Sequence, residues 1–126
     1  MTDEDKKNLA NNDADGLLSY EYIANHIGTP DLDIDWLTDN IVRVDPSGQF
    51  TGSAARYLHA INPELFAPQI DRLVAATIDL DREHRYLGAL MSALWGEDCE
   101  SRAAELSAEN DNFRRIHKRL FPTSAI

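Results

Sequence analysis

The sequence predicts an all-α, single-domain helical bundle, and three observations carry that prediction. Leu73, Leu80, Leu87 and Leu94 stand seven residues apart with Ile70, Thr77, His84 and Met91 between them, so one side of the chain recurs in steps of four and three. Shorter stripes of the same period lie before and after that run, each bounded by glycine, proline or asparagine, the residues that stop helices. Strand-like sequence is confined to residues 42–44 and 49–51, on either side of the turn Asp45-Pro46-Ser47-Gly48. At 126 residues the chain is long enough for one core without disulfides or a structural metal.

Taken in order, residues 1–15 carry Asp3, Glu4, Asp5, Asp13 and Asp15, with Leu9 the only large apolar side chain after Met1. So little apolar surface does not offset the entropy of ordering, and the segment reads as a disordered acidic tail ahead of a helical domain over 16–126. A first helix over 17–27 places Leu17, Tyr20, Ile23 and Ile27 on one face, with Gly28 suited to a left-handed stop. Thr29 and Pro30 stand as cap and first residue of a second helix. That helix turns Ile34, Leu37, Ile41 and Val44 inward, and Asp31, Asp33 and Asp35 load the end where its dipole favours negative charge. Because Ile41 and Val44 complete this stripe, helix is favoured over a hairpin across 41–52.

Ser53 then stands as cap of a short helix bearing Ala54, Tyr57, Leu58 and Ile61, stopped by Asn62-Pro63. The leucine run predicts a long central helix over 68–95, about 42 Å at 1.5 Å per residue, stopped by Gly96. Asp98 opens a last helix over 98–120 with Ala103, Leu106, Phe113, Ile116 and Leu120 inward. The polar run 109–112 is the place where that helix would divide. No internal repeat is apparent.

The composition narrows the function. A net charge of -10 opposes non-specific binding to phosphate backbones and anionic membrane surfaces. Cys99 is the sole cysteine, which fits a reducing compartment. Residues 1–16 lack the apolar run of a signal peptide and nothing resembles a membrane span, so a cytoplasmic protein with no membrane partner is expected.

Four features bear on chemistry. The positions flanking the leucine seam are Ala67, Val74, Ala76, Gly88, Leu90 and Trp95 beside Gln69, Asp81 and Glu83, too apolar for a free-standing zipper and suited to a core shared among helices, including those of a homodimer. Asp81 and His84 have the spacing of a metal-binding pair, but no Glu-x-x-His partner exists and His26, His59 and His117 would have to complete the set; neither a metal nor any other cofactor is expected. Ala24, Gly28, Ile34 and Leu37 resemble the helix-turn-helix register. The recognition position there carries Asp31, Asp33, Asp35 and Asp39, with its first cation at Arg43, which disfavours DNA. Arg114, Arg115, Lys118 and Arg119 form a basic island with no acid after Asp111; these are the partner-binding candidates, although cations also complement the carboxyl end of a helix.

No nucleophile with a base and no phosphate loop is found, and Cys99 lies among Glu97, Asp98 and Glu100, which oppose a thiolate. The expected function is therefore a non-catalytic interaction or regulatory module that works through helical surfaces. The alternatives are a helix-turn-helix DNA-associated regulator, an acidic protein that blocks a basic partner's nucleic-acid site, and a helical-bundle metalloenzyme.

Overall fold

The computed structural model describes residues 1–123, and among them every regular element is helical. In chain order these are α1 (Asp3–Asn12), α2 (Leu17–His26), α3 (Ile34–Val44), α4 (Gln49–Ile61), α5 (Ala67–Leu80), α6 (Leu87–Trp95), a 3-10 turn (Cys99–Arg102), α7 (Ala103–Glu109) and α8 (Asp111–Leu120). Helices α4 and α5 form the central pair, with α2 and α3 on one side and α6 and α8 on the other. One continuous core results, in which Ile23, Leu37, Ile41, Leu58, Leu73, Ile78, Leu87, Phe113 and Ile116 are wholly shielded from solvent. Each such side chain contributes about 1.5–3 kcal/mol on leaving water. Val74 and Leu90, two of the flanking positions that suggested a core shared among helices, are covered within one chain.

Helix α3 runs to Val44 and no hairpin forms over 41–52. Elsewhere the boundaries differ from those read in the sequence, and one cause recurs: a side-chain acceptor captures the chain earlier or later than apolar spacing suggests. The segment read as a mobile tail through residue 15 contains α1. Its end is closed by a capping box in which Thr2 Oγ1 accepts from the Asp5 amide at 3.1 Å and the Asp5 carboxylate accepts from the Thr2 amide at 3.0 Å. Helix α1 buries no residue completely. It is held by Lys6 Nζ against Asp33 at 2.8 Å, by Arg43 donating to the Ala10 carbonyl at 3.2 Å, and by Met1 and Leu9 resting on the core. Counting apolar side chains alone misses such ties.

Helix α3 starts at Ile34 because Asp33 caps it, accepting from the Trp36 amide at 3.1 Å. Thr29 does not cap; its hydroxyl donates backward to the His26 carbonyl at 2.7 Å. Ser53 likewise lies inside α4, donating to the Gln49 carbonyl at 2.8 Å. The predicted 68–95 helix is two helices, with residues 81–86 forming a loop between α5 and α6. Leu73 and Leu87 keep the buried positions of the seam, while Leu80 and Leu94 are half-buried. The last helix is divided as well: Asn110 Oδ1 accepts from the Phe113 amide at 3.0 Å, closing α7 and starting α8.

Candidate functional site

Three of the connections are variants of one design. Asp13, Asp45 and Asp81 each end a helix, are almost completely buried, and turn their carboxylates into the backbone of the residues that follow. Asp13 accepts from the amides of Gly16 (2.9 Å), Leu18 (3.3 Å) and Ser19 (2.9 Å). Asp45 accepts from Ser47 (3.0 Å), Gly48 (3.1 Å), Phe50 (3.0 Å) and Thr51 (2.9 Å). Asp81 accepts from Arg85 (2.9 Å), Tyr86 (2.7 Å) and Leu87 (3.0 Å). In each, the third residue after the aspartate has positive φ: Gly16 (101°), Gly48 (88°) and His84 (56°). The carboxylate thus satisfies amides at the start of the next helix that would otherwise lack partners. For Asp13, burial alone would raise the carboxyl pKa, but the bonds from Ser19, Gly16 and Leu18 outweigh it and hold the group below the usual carboxylate value.

The three loops lie edge to edge. A Cβ built on Gly16 would stand 3.1 Å from Phe50 Cβ, and one built on Gly48 would stand 3.1 Å from Asp81 Cβ and 3.3 Å from the Asp81 amide nitrogen. Each of the first two loops therefore needs glycine twice over, once for its φ and once to let the next loop approach. The third loop is last in the row, and the side chain of His84 points into solvent. Behind the loops, Asn40 Nδ2 donates to Ser19 Oγ at 2.8 Å, and the buried hydroxyls of Thr51 and Thr77 meet at 2.8 Å.

Between the second and third loops is a cleft of about 280 Å³, lined by Pro46, Ser47, Leu80, Asp81, Arg82, Glu83, Arg85 and Tyr86. A separate, smaller hollow of about 50 Å³ shares Arg85 and Tyr86 with it and is lined also by Gln49, Ser53 and Arg56. Among the described residues, the Arg56 and Arg82 side chains have no hydrogen-bond or ion-pair partner. Arg85 Nε meets Glu83 at 2.7 Å, but both side chains are about two-thirds exposed (67% and 70%), so that pair is held weakly. Arg82 and Arg85 therefore stand beside Glu83 and the inward-turned Asp81 in the cleft, with Arg56 in the adjoining hollow, in a chain whose net charge is -10. Guanidinium stays charged at any working pH and presents paired donors to carboxylate or phosphate oxygens.

No family model, curated protein or solved structure matches the chain. Its site is therefore read from its own geometry.

The four cations expected to face a partner lie along α8, and three are engaged within the chain. Arg114 Nε donates to Asp111 at 3.0 Å, Arg115 pairs with Asp79 at 2.9 Å, and Arg119 donates to the Ile78 carbonyl at 2.7 Å. The last two tie α8 to the end of α5. Lys118 is exposed. His84 is in a loop and not on a helical seam, His26 bonds the Tyr22 carbonyl at 2.9 Å, and His117 is buried between Phe113 and Phe121. Among the described residues, no three His, Cys, Asp or Glu side chains are grouped as a metal site. Burial pushes the Cys99 thiol pKa up. Gly28 serves its φ of 86° alone, since a Cβ there would meet nothing within 4 Å, so the close helix crossing of a helix-turn-helix is not what requires it.

Arg82 and Arg85 belong to the third loop and Arg56 to α4, and the spacing of apolar residues singles out none of them. The signal was the spacing Asp-x-x-Gly at 13–16 and 45–48, which the third loop disguises as Asp81-Arg82-Glu83-His84.

Proposed function

We propose that the chain is a non-catalytic interaction module whose recognition surface is the edge formed by the second and third loops, and that its partner is acidic. The observation that carries the reading is the cleft itself, with Arg82 unpartnered and Arg85 in a weak pair, and with Arg56 in the adjoining hollow, in a strongly acidic chain. Guanidinium groups bind oxyanions but do not exchange protons near neutral pH, which suits recognition better than acid-base chemistry. Of the two carboxylates that line the cleft, Glu83 faces Arg85 and Asp81 is already occupied by three amides. Those bonds also fix the backbone from which Arg85 projects, so little ordering remains for a partner to impose. The basic face of α8, with Arg114, Arg115, Lys118 and Arg119, forms a second and more neutralised surface in the same reading. No helix among the described residues is long and apolar enough to cross a membrane.

The test is isolation of complexes from native cells with three forms of the chain: unaltered, Arg82→Glu with Arg85→Glu, and Lys118→Glu. The expected complex dissolves as ionic strength rises, is lost from the double variant and survives in Lys118→Glu. A complex indifferent to the two loop arginines would contradict the proposal.

A further inference from the structure

We infer that the cleft between the second and third loops takes a phosphoryl group, a tetrahedral oxyanion with more than one charge. This rests on the reading above and specifies what the acidic partner presents. At about 280 Å³ the cleft has room for a head group. The donors suit it. Arg82 and Arg85 line the cleft. Ser47 Oγ already accepts from the Gln49 amide at 3.3 Å, which leaves its own hydrogen to donate outward. Pro46, Leu80 and Tyr86 supply the apolar part of the lining.

Charge distinguishes phosphate from carboxylate here. Glu83 already offers Arg85 a carboxylate on its own chain at 2.7 Å, so an incoming carboxylate would replace like with like. A phosphoryl group brings about -1.5 to -2 charges and three acceptor oxygens, enough to engage Arg85 together with Arg82. Glu83 is then a competitor at the rim, and its removal has a predictable sign.

The experiment is a titration of the intact chain, followed by backbone amide NMR at constant ionic strength, with inorganic phosphate, O-phosphoserine and, as control, acetate. The expected result is saturable shifts at Ser47, Arg82, Arg85 and Tyr86 for both phosphates and a much smaller response to acetate. Arg82→Gln with Arg85→Gln should weaken binding roughly ten- to hundredfold, the loss of charge-assisted hydrogen bonds, whereas Glu83→Gln should tighten it. All three side chains are exposed, and the backbone bonds to Asp81 remain in every variant. Equal responses to phosphate and acetate, shifts spread over the surface, or binding unchanged by the arginine pair would overturn the inference. So would co-sedimentation with phosphatidic acid vesicles in phosphatidylcholine without any saturable response to the soluble phosphates.

The two readings fail separately. A native complex that needs Arg82 and Arg85 while phosphate does not bind removes the phosphoryl assignment alone. Phosphate binding beside a native complex indifferent to these arginines removes the partner surface alone.

Discussion

Replacing Asp45 with alanine is expected to lower the unfolding free energy by about 3–5 kcal/mol, from the loss of a cap and of several buried acceptors together. Four amides, those of Ser47, Gly48, Phe50 and Thr51, end on this one carboxylate, and the residue is only 3% exposed. Alanine leaves them facing protein with no acceptor and little room for water. Measured against the roughly 5–15 kcal/mol that holds a domain of this kind folded, the loss should move the thermal midpoint by about 10–20 °C. Asp45→Asn, which keeps one acceptor oxygen, should fall between. Calorimetric or denaturant unfolding checks the series, and a cost for Asp45→Ala within about 0.5 kcal/mol, the range of surface substitutions, would show that the loop does not depend on its carboxylate.

Leu87→Ala is the second large effect, expected at about 2–5 kcal/mol as lost transfer energy plus the cavity left behind. Leu87 begins α6, is completely shielded, and is fixed from behind by its amide bond to Asp81. Leu80, one heptad earlier in the sequence, lies at the end of α5 and lines the open cleft. Leu80→Ala should therefore cost about 1 kcal/mol, since part of that side chain stays in contact with water. The comparison separates two helices joined by a loop from one unbroken helix, in which consecutive seam positions would be buried alike. Equal costs in denaturant unfolding would restore the unbroken helix.

The leucine pair also shows how far the sequence could be read. Helical class, the apolar faces of α3 and α8, and the division at Asn110 follow from period and caps, because burial there repeats every three to four residues without interruption. The break at 81–86 was hidden because Leu80 and Leu87 remain in heptad register across it, and a spacing rule cannot distinguish two turns of helix from a loop that returns the chain to the same face. Five consecutive polar residues, Asp81 to Arg85, were the visible warning. In α1 the deciding contacts are Thr2 with Asp5 and Lys6 with Asp33; the first pair is local and legible, the second becomes a contact only once α3 has folded. The repeated aspartate loops escaped because a glycine is required only where another loop follows. At the end of the row the left-handed residue is His84, so the motif loses its most recognisable member at the loop that bears Arg82 and Arg85. The basic island on α8 was legible as charge, but its pairing with Asp79 and the Ile78 carbonyl depends on how α8 crosses α5, which periodicity does not encode.

Stacking of the loops is the central claim, and the difference in unfolding free energy between Gly48→Ala and Gly28→Ala tests it most directly. Both glycines have nearly the same left-handed φ, 88° and 86°, so both variants carry the backbone cost of roughly 1–2 kcal/mol, offset in part by the stiffer unfolded chain. Only at Gly48 does the added methyl meet the next loop, at 3.1 Å from Asp81 Cβ, on a backbone held by three hydrogen bonds. Gly48→Ala should consequently cost about 1–3 kcal/mol more than Gly28→Ala, the range for overpacking a well-filled site, and equal costs would contradict the stacked arrangement.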